Sequence, residues 1–192
     1  MEWLSKIFLA ILFCFAIQAR AANFKADFKS NFNQIHGQNI LTGEETDIAP
    51  GKKGTVIIFM SITCPCSNSH VPMIKKLADR FKEFSFVAVH SNNGEELEAS
   101  KAYFKAADLP FPVLQDKKTE LADAFKAYKT PHAFLVSADG KILYHGGVTN
   151  SNDAPHAEKL FLQDALDDVV NDHPVRVMEG RTLGCVISRD ES

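Results

Sequence analysis

Two cysteines, Cys64 and Cys66, stand where an unbroken apolar run gives way to a stretch of helical periodicity. A helix start carries partial positive charge and unpaired N–H groups, so a thiol placed there is drawn toward its thiolate. A thiolate can exchange with disulfides, reduce peroxides or bind soft metals such as Cu(I), and these set the function classes to weigh. A third cysteine, Cys185, lies near the C-terminus between Gly184 and Val186. Bridging Cys64 to Cys66, two residues apart, would close a small and strained ring, whereas a tail that folds back would bring Cys185 as a resolving thiol. Without such a fold-back, Cys185 is a small buried apolar side chain. Of the seven histidines, His70 and His132 invite attention as thiolate stabilisers or soft-metal ligands. Strand alternation turns His132 away from Pro131 into a structural role, and His70 is expected on a helix surface.

The elements that must position these groups follow from periodicity. Residues 55–60 form a continuous β-favouring run, as expected of a strand buried on both faces. Val71, Ile74, Leu77, Ala78 and Phe81 recur at helical spacing and predict an amphipathic helix over 68–84. A second strand is expected over 84–90, a second helix over 95–108 ended by Pro110, and a short extended piece over 111–114. Leu121, Ala124, Phe125 and Tyr128 mark a third helix. Two runs, 132–137 and 141–146, flank Asp139-Gly140 and read as a hairpin, and a last helix is expected over 155–171. This order predicts an α/β fold in which parallel crossover strands and an antiparallel hairpin share one mixed sheet.

The chain has 192 residues, 45% of them hydrophobic, enough for one domain with a sizeable core. Residues 1–21 combine Lys6, an apolar run over 7–17 and a small-x-small site at Ala19-Arg20-Ala21, which predicts a cleaved signal peptide. The run is shorter than the roughly 20 apolar residues of a spanning helix, so no stable membrane insertion is expected after cleavage. Residues 22–53 then form a polar entry segment with short strands expected around 39–42, residues 54–174 the domain, and residues 175–192 a tail. Removing Lys6, Arg20 and Glu2 with the leader takes 21 basic against 24 acidic residues to 19 against 23. Such a mildly acidic chain argues against a nucleic-acid partner. Three cysteines remain in the mature chain, and in an oxidising compartment an odd number leaves at least one free or transiently paired.

The order of elements, with cysteines at the first strand-to-helix junction and Thr130-Pro131 before the hairpin, resembles the thioredoxin-like fold: a central mixed sheet with helices on both faces. More narrowly it resembles the redoxin branch, the peroxiredoxin-like relatives of alkyl hydroperoxide reductase and thiol-specific antioxidant proteins. The matching pieces are the segment from Cys64 to Asn68, Pro72, the stretches 130–135 and 140–146, and the tail 184–187. The resemblance implies that Cys64 is the nucleophile, that Ser67 stands where a resolving cysteine is usual, and that Pro72 kinks the helix. An alternative alignment on Thr63 and Cys66 puts Phe59 where peroxiredoxins carry proline, so Cys64 is preferred. The resemblance also implies a cis Thr130–Pro131 bond beside the cysteines, with the Thr130 backbone free to pair with bound substrate. The chain departs from the pattern in having no Trp before Cys64 and no carboxylate in the central strand, and no activating arginine can be assigned.

These observations predict a secreted or periplasmic thiol-disulfide oxidoreductase with catalytic Cys64, Cys66 and Cys185, and with Thr130 and Pro131 placing substrate. Either Cys66 or Cys185 would resolve the mixed disulfide. Its partners would be a protein or small-molecule disulfide or peroxide and an external thiol reductant, with no cofactor and no resident metal. A thiol peroxidase and a copper carrier using Cys64 and Cys66, with His132 as a third ligand, are the alternatives.

Overall fold

The computed structural model describes residue 32 and residues 35–189, so the expected signal peptide lies outside the described residues. Seven strands form the main sheet: β1 (Ile35–Asn39), β2 (Glu45–Ile48), β3 (Gly54–Met60), β4 (Phe84–His90), β5 (Val113–Gln115), β7 (His132–Val136) and β8 (Ile142–Gly146). Their order is β2-β1-β5-β4-β3-β7-β8. Strands β3, β4 and β5 run parallel, while β7 and β8 form the expected hairpin antiparallel to β3. A separate two-stranded ribbon joins β6 (Lys129–Thr130) to β9 (Cys185–Val186).

All seven residues of β3 are buried, as its unbroken apolar run demands. Strand alternation sends Val56, Ile58 and Met60 to one face, where they meet Ile74 and Leu77 of α1 (Pro65–Arg80), Phe104 of α2 (Leu97–Ala107) and Leu162 and Leu166 of α4 (Phe161–Val170). Ile57 and Phe59 point to the other face, against Ala122 of α3 (Glu120–Ala124), Phe125, Phe134 and Ile187 from the tail. The mixed sheet with helices on both faces is therefore as the sequence predicts, with the second face closed by one short helix and the tail.

Four boundaries differ from expectation for local reasons. Strands β1 and β2 flank the segment 39–42 instead of running through it, because that segment makes the turn: Gly43 N–H donates to Asn39 O and takes a positive φ. Helix α1 begins at Pro65, three residues early, because proline's fixed φ and missing N–H suit a first helical position. Helix α3 ends at Ala124, and the apolar period that ran on to Tyr128 is broken where Lys126 adopts a φ of +53°. The last helix starts only at Phe161, because Asn150 Oδ1 accepts the N–H groups of Glu158 and Lys159 and holds the preceding segment as a loop after a 3-10 turn at Ala154–His156.

Candidate active site

Parallel strands β3 and β4 end side by side, with Met60 opposite His90, so the segments that follow them converge. After β3 the chain runs Ser61-Ile62-Thr63 to Cys64, which becomes the N-cap of α1. Of the N–H groups at the start of α1, that of Ser67 reaches the sulfur. Burial pushes the Cys64 thiol up, but hydrogen bonds from the Thr130 hydroxyl, the Cys185 thiol and the N–H groups of Ser67 and Cys185 favour the thiolate and bring it down to about 7. In the protonated form the thiol donates to Thr130 O at 3.0 Å. Cys64 is fully covered, at 0% exposure.

What covers it is the tail. Strand β9 pairs antiparallel with β6 so that Cys185 stands opposite Thr130, the residue before the cis Thr130–Pro131 bond. The Thr130 backbone, expected to be free for substrate, is thus already occupied by the chain's own C-terminal strand. Gly184 makes this approach possible: a Cβ there would lie 1.9 Å from Thr130 O, and its φ of +139° disfavours any side chain. Beyond Cys185 the tail is anchored by Ile187, 2% exposed in the second core, and by hydrogen bonds from Ile187 N to Tyr128 O and from Ser188 N to the Asn92 side chain. Arg189 adds bonds to Asp123 and to Ala127 O.

The three thiols are therefore together and chemically unequal. Cys185 is exposed, and its hydrogen bond to Cys64, burial of its sulfur and the negative charges of Cys64, Cys66 and Glu95 push it up to about 11. Cys66, in the first turn of α1, is raised by burial and by Cys64. Among the described residues all three cysteines are free thiols, and no group of three or more His, Cys, Asp and Glu side chains is arranged to hold a metal ion. The copper-carrier alternative therefore rests on residue type alone.

Sequence reasoning missed the group that holds the approach to Cys64. Glu95, its side chain only 6% exposed, accepts from Ile62 N at 3.1 Å, Thr63 N at 3.2 Å, Ser61 Oγ at 2.5 Å, Thr63 Oγ1 at 2.6 Å and Asn92 Nδ2 at 3.1 Å. His90 Nε2 lies 2.6 Å from its other face. Burial alone would raise the carboxyl, but His90 and these donors outweigh it and hold the group far below the usual carboxylate range. Glu95 thus clamps the segment 61–63 that leads into Cys64. The available signal was polar His90, Ser91 and Asn92 at the end of a buried parallel strand, where α/β folds gather their sites.

The two histidines divide. His70 is buried, contrary to expectation, because the loop before α4 packs onto the first turns of α1: Nδ1 donates to Cys66 O at 2.7 Å and Nε2 faces the Thr149 hydroxyl at 2.9 Å. His132 sits on the sheet face opposite α1 among Tyr128, Phe134 and His145, with both ring nitrogens buried and unpartnered.

The Redoxin family model matches residues 29–161. A thiol-disulfide oxidoreductase, ResA, of Bacillus cereus is 28% identical over 104 residues, 54% of this chain and 60% of that protein. The methylamine utilization protein MauD of Methylorubrum extorquens is 28% identical over 113 residues, 59% of this chain and 51% of its own. The match thus spans little more than half the length of these relatives. Among solved structures, an uncharacterized conserved protein of Geobacillus kaustophilus superposes with a TM-score of 0.77 at 26% identity, covering 85% of this chain and 92% of that one. StoA of Bacillus subtilis, with a TM-score of 0.52 at 22% identity over 60% of this chain and 89% of its own, shares the fold.

Proposed function

The chain belongs to the redoxin family, and from that premise we propose that it is a thiol-disulfide oxidoreductase whose working pair is Cys64 and Cys185. The observation that carries this reading is the pairing of β9 with β6, which sets Cys185 against the low-pKa Cys64 thiol. The thiol-disulfide oxidoreductases among its relatives support the same chemistry.

Lifting of the tail at Gly184 would uncover Cys64. Its thiolate attacks one sulfur of a substrate disulfide, and the other sulfur leaves as a thiolate. With the tail reseated, Cys185 loses its proton and attacks Cys64 Sγ, the substrate's second thiolate departs, and a Cys64–Cys185 disulfide remains. The substrate gains two electrons and the protein loses two. Thr130 lends its carbonyl and hydroxyl to Cys64. Cys66 stays a protonated bystander, because burial and the Cys64 charge both oppose its ionisation. A secreted or periplasmic location fits an oxidisable pair and rests on the leader-like residues 1–21.

Insulin reduction with dithiothreitol as electron source tests the reading on wild type, Cys64→Ser, Cys185→Ser and Cys66→Ser. Loss in the first two variants and retention in the third is expected, and full activity in Cys64→Ser would overturn it. Peroxide consumption by the same set separates the peroxidase alternative.

A further inference from the structure

Resting on the Cys64–Cys185 reading, we propose that the external thiol reductant enters the oxidised protein at Cys185 and not at the nucleophile Cys64. Seated on β6, the tail leaves Cys64 at 0% exposure while Cys185 is open to solvent. A disulfide between them would present one sulfur outward and hold the other under the strand that carries it. Thiol-disulfide exchange needs the attacking sulfur to approach its target along the S–S axis, so burial of one sulfur decides which is attacked.

The surroundings of Cys185 agree. Tyr128, two residues before Thr130 and so on the Cys185 face of the ribbon, is 48% exposed. The tail does not need to unfold for this step, since its anchors at Ile187, Ser188 and Arg189 lie beyond the reacting sulfur.

The step balances. The reductant's thiolate forms a bond to Cys185 Sγ, the Cys64–Cys185 bond breaks, and its electron pair leaves on Cys64 Sγ. The departing group is the better stabilised thiolate, received by Ser67 N–H and the Thr130 hydroxyl, and exchange is faster when the leaving thiol has the lower pKa. A second thiolate of the reductant then attacks its own sulfur in the mixed disulfide, releasing Cys185, which takes up a proton. The reductant ends as a disulfide and the protein as a dithiol.

Oxidised full-length protein is mixed with 2-mercaptoethanol, quenched in acid at early times, alkylated with N-ethylmaleimide and digested with trypsin. Cys64 and Cys66 fall in peptide 54–75, and Cys185 falls in peptide 182–189. The expected result is the mercaptoethanol mass on Cys185 and the maleimide on Cys64, with roughly tenfold or greater preference. Mercaptoethanol chiefly on Cys64 overturns the proposal and leaves the working pair intact. Oxidised protein with no Cys64–Cys185 linkage overturns the reading beneath it, and the two failures are distinguishable in the same digest.

Discussion

Replacing Gly184 with Ala should expose Cys64 without touching either sulfur. The added Cβ would sit 1.9 Å from Thr130 O and 2.8 Å from Thr130 C, where ordinary contact begins at 3.4 Å, so β9 and β6 must part by about 1.5 Å. Holding a non-glycine residue at a φ of +139° costs roughly 1–3 kcal/mol. Each ladder hydrogen bond lost adds about 1 kcal/mol. Together these shift the balance toward a lifted tail by about 2–4 kcal/mol, which is at least about 30-fold in population. Alkylation of the reduced protein by iodoacetamide, run above the Cys64 value of about 7 and read from peptide 54–75, should therefore accelerate by at least about 30-fold in Gly184→Ala. Cys185, already exposed, should change by less than about threefold. If Cys64 stays as protected as in wild type while circular dichroism shows an intact fold, β9 is not what covers the nucleophile.

Ultraviolet thiolate absorbance should show Cys64 titrating near 7, with that step absent in Cys64→Ser. Because the folded value lies below the unfolded one, urea denaturation of the reduced protein should find a Cys64 contribution of about 2 kcal/mol present above roughly pH 9 and lost as pH falls through 7. Cys185, raised to about 11, works in the opposite sense: its contribution is present below its unfolded value and fades as pH climbs toward 11. Glu95→Ala strips acceptors from Ser61, Ile62 and Thr63 and leaves His90 without its carboxylate, so a loss of about 3 kcal/mol and a Tm drop of about 6–12 °C are expected. A Glu95→Ala Tm within about 2 °C of wild type would refute the clamp. His132→Phe removes two unpartnered buried nitrogens and should raise stability by about 1–2 kcal/mol in thermal melts. With His132 held down to about 3 by burial and by His145, wild type should lose stability as pH falls from about 6.5 toward 3, and the Phe variant should lose less.

The buried strand β3, the crossover to β4 and the Asp139-Gly140 hairpin were legible because hydrophobic period and turn chemistry are local properties. The position of Cys64 at the start of α1 was legible for the same reason, as a strand-to-helix junction can be recognised from the residues on either side of it. Boundaries failed where a side chain from elsewhere in the loop fixed the backbone, as Asn150 does for Glu158 and Lys159. His70 looked exposed because helical period says nothing about a loop eighty residues away that packs on the polar side. Glu95 and the seating of β9 on Thr130 are long-range pairings, 32 and 55 residues from the groups they meet, and no local pattern encodes them. Gly184 beside Cys185 was the one local trace of that seating, since glycine permits the close approach the pairing requires.

The disulfide map of the air-oxidised full-length protein tests the account most directly. Tryptic digestion without reduction should yield peptide 54–75 joined to peptide 182–189 through Cys64 and Cys185, with Cys66 free and alkylated. A Cys64–Cys66 bond with Cys185 still alkylatable would contradict the account.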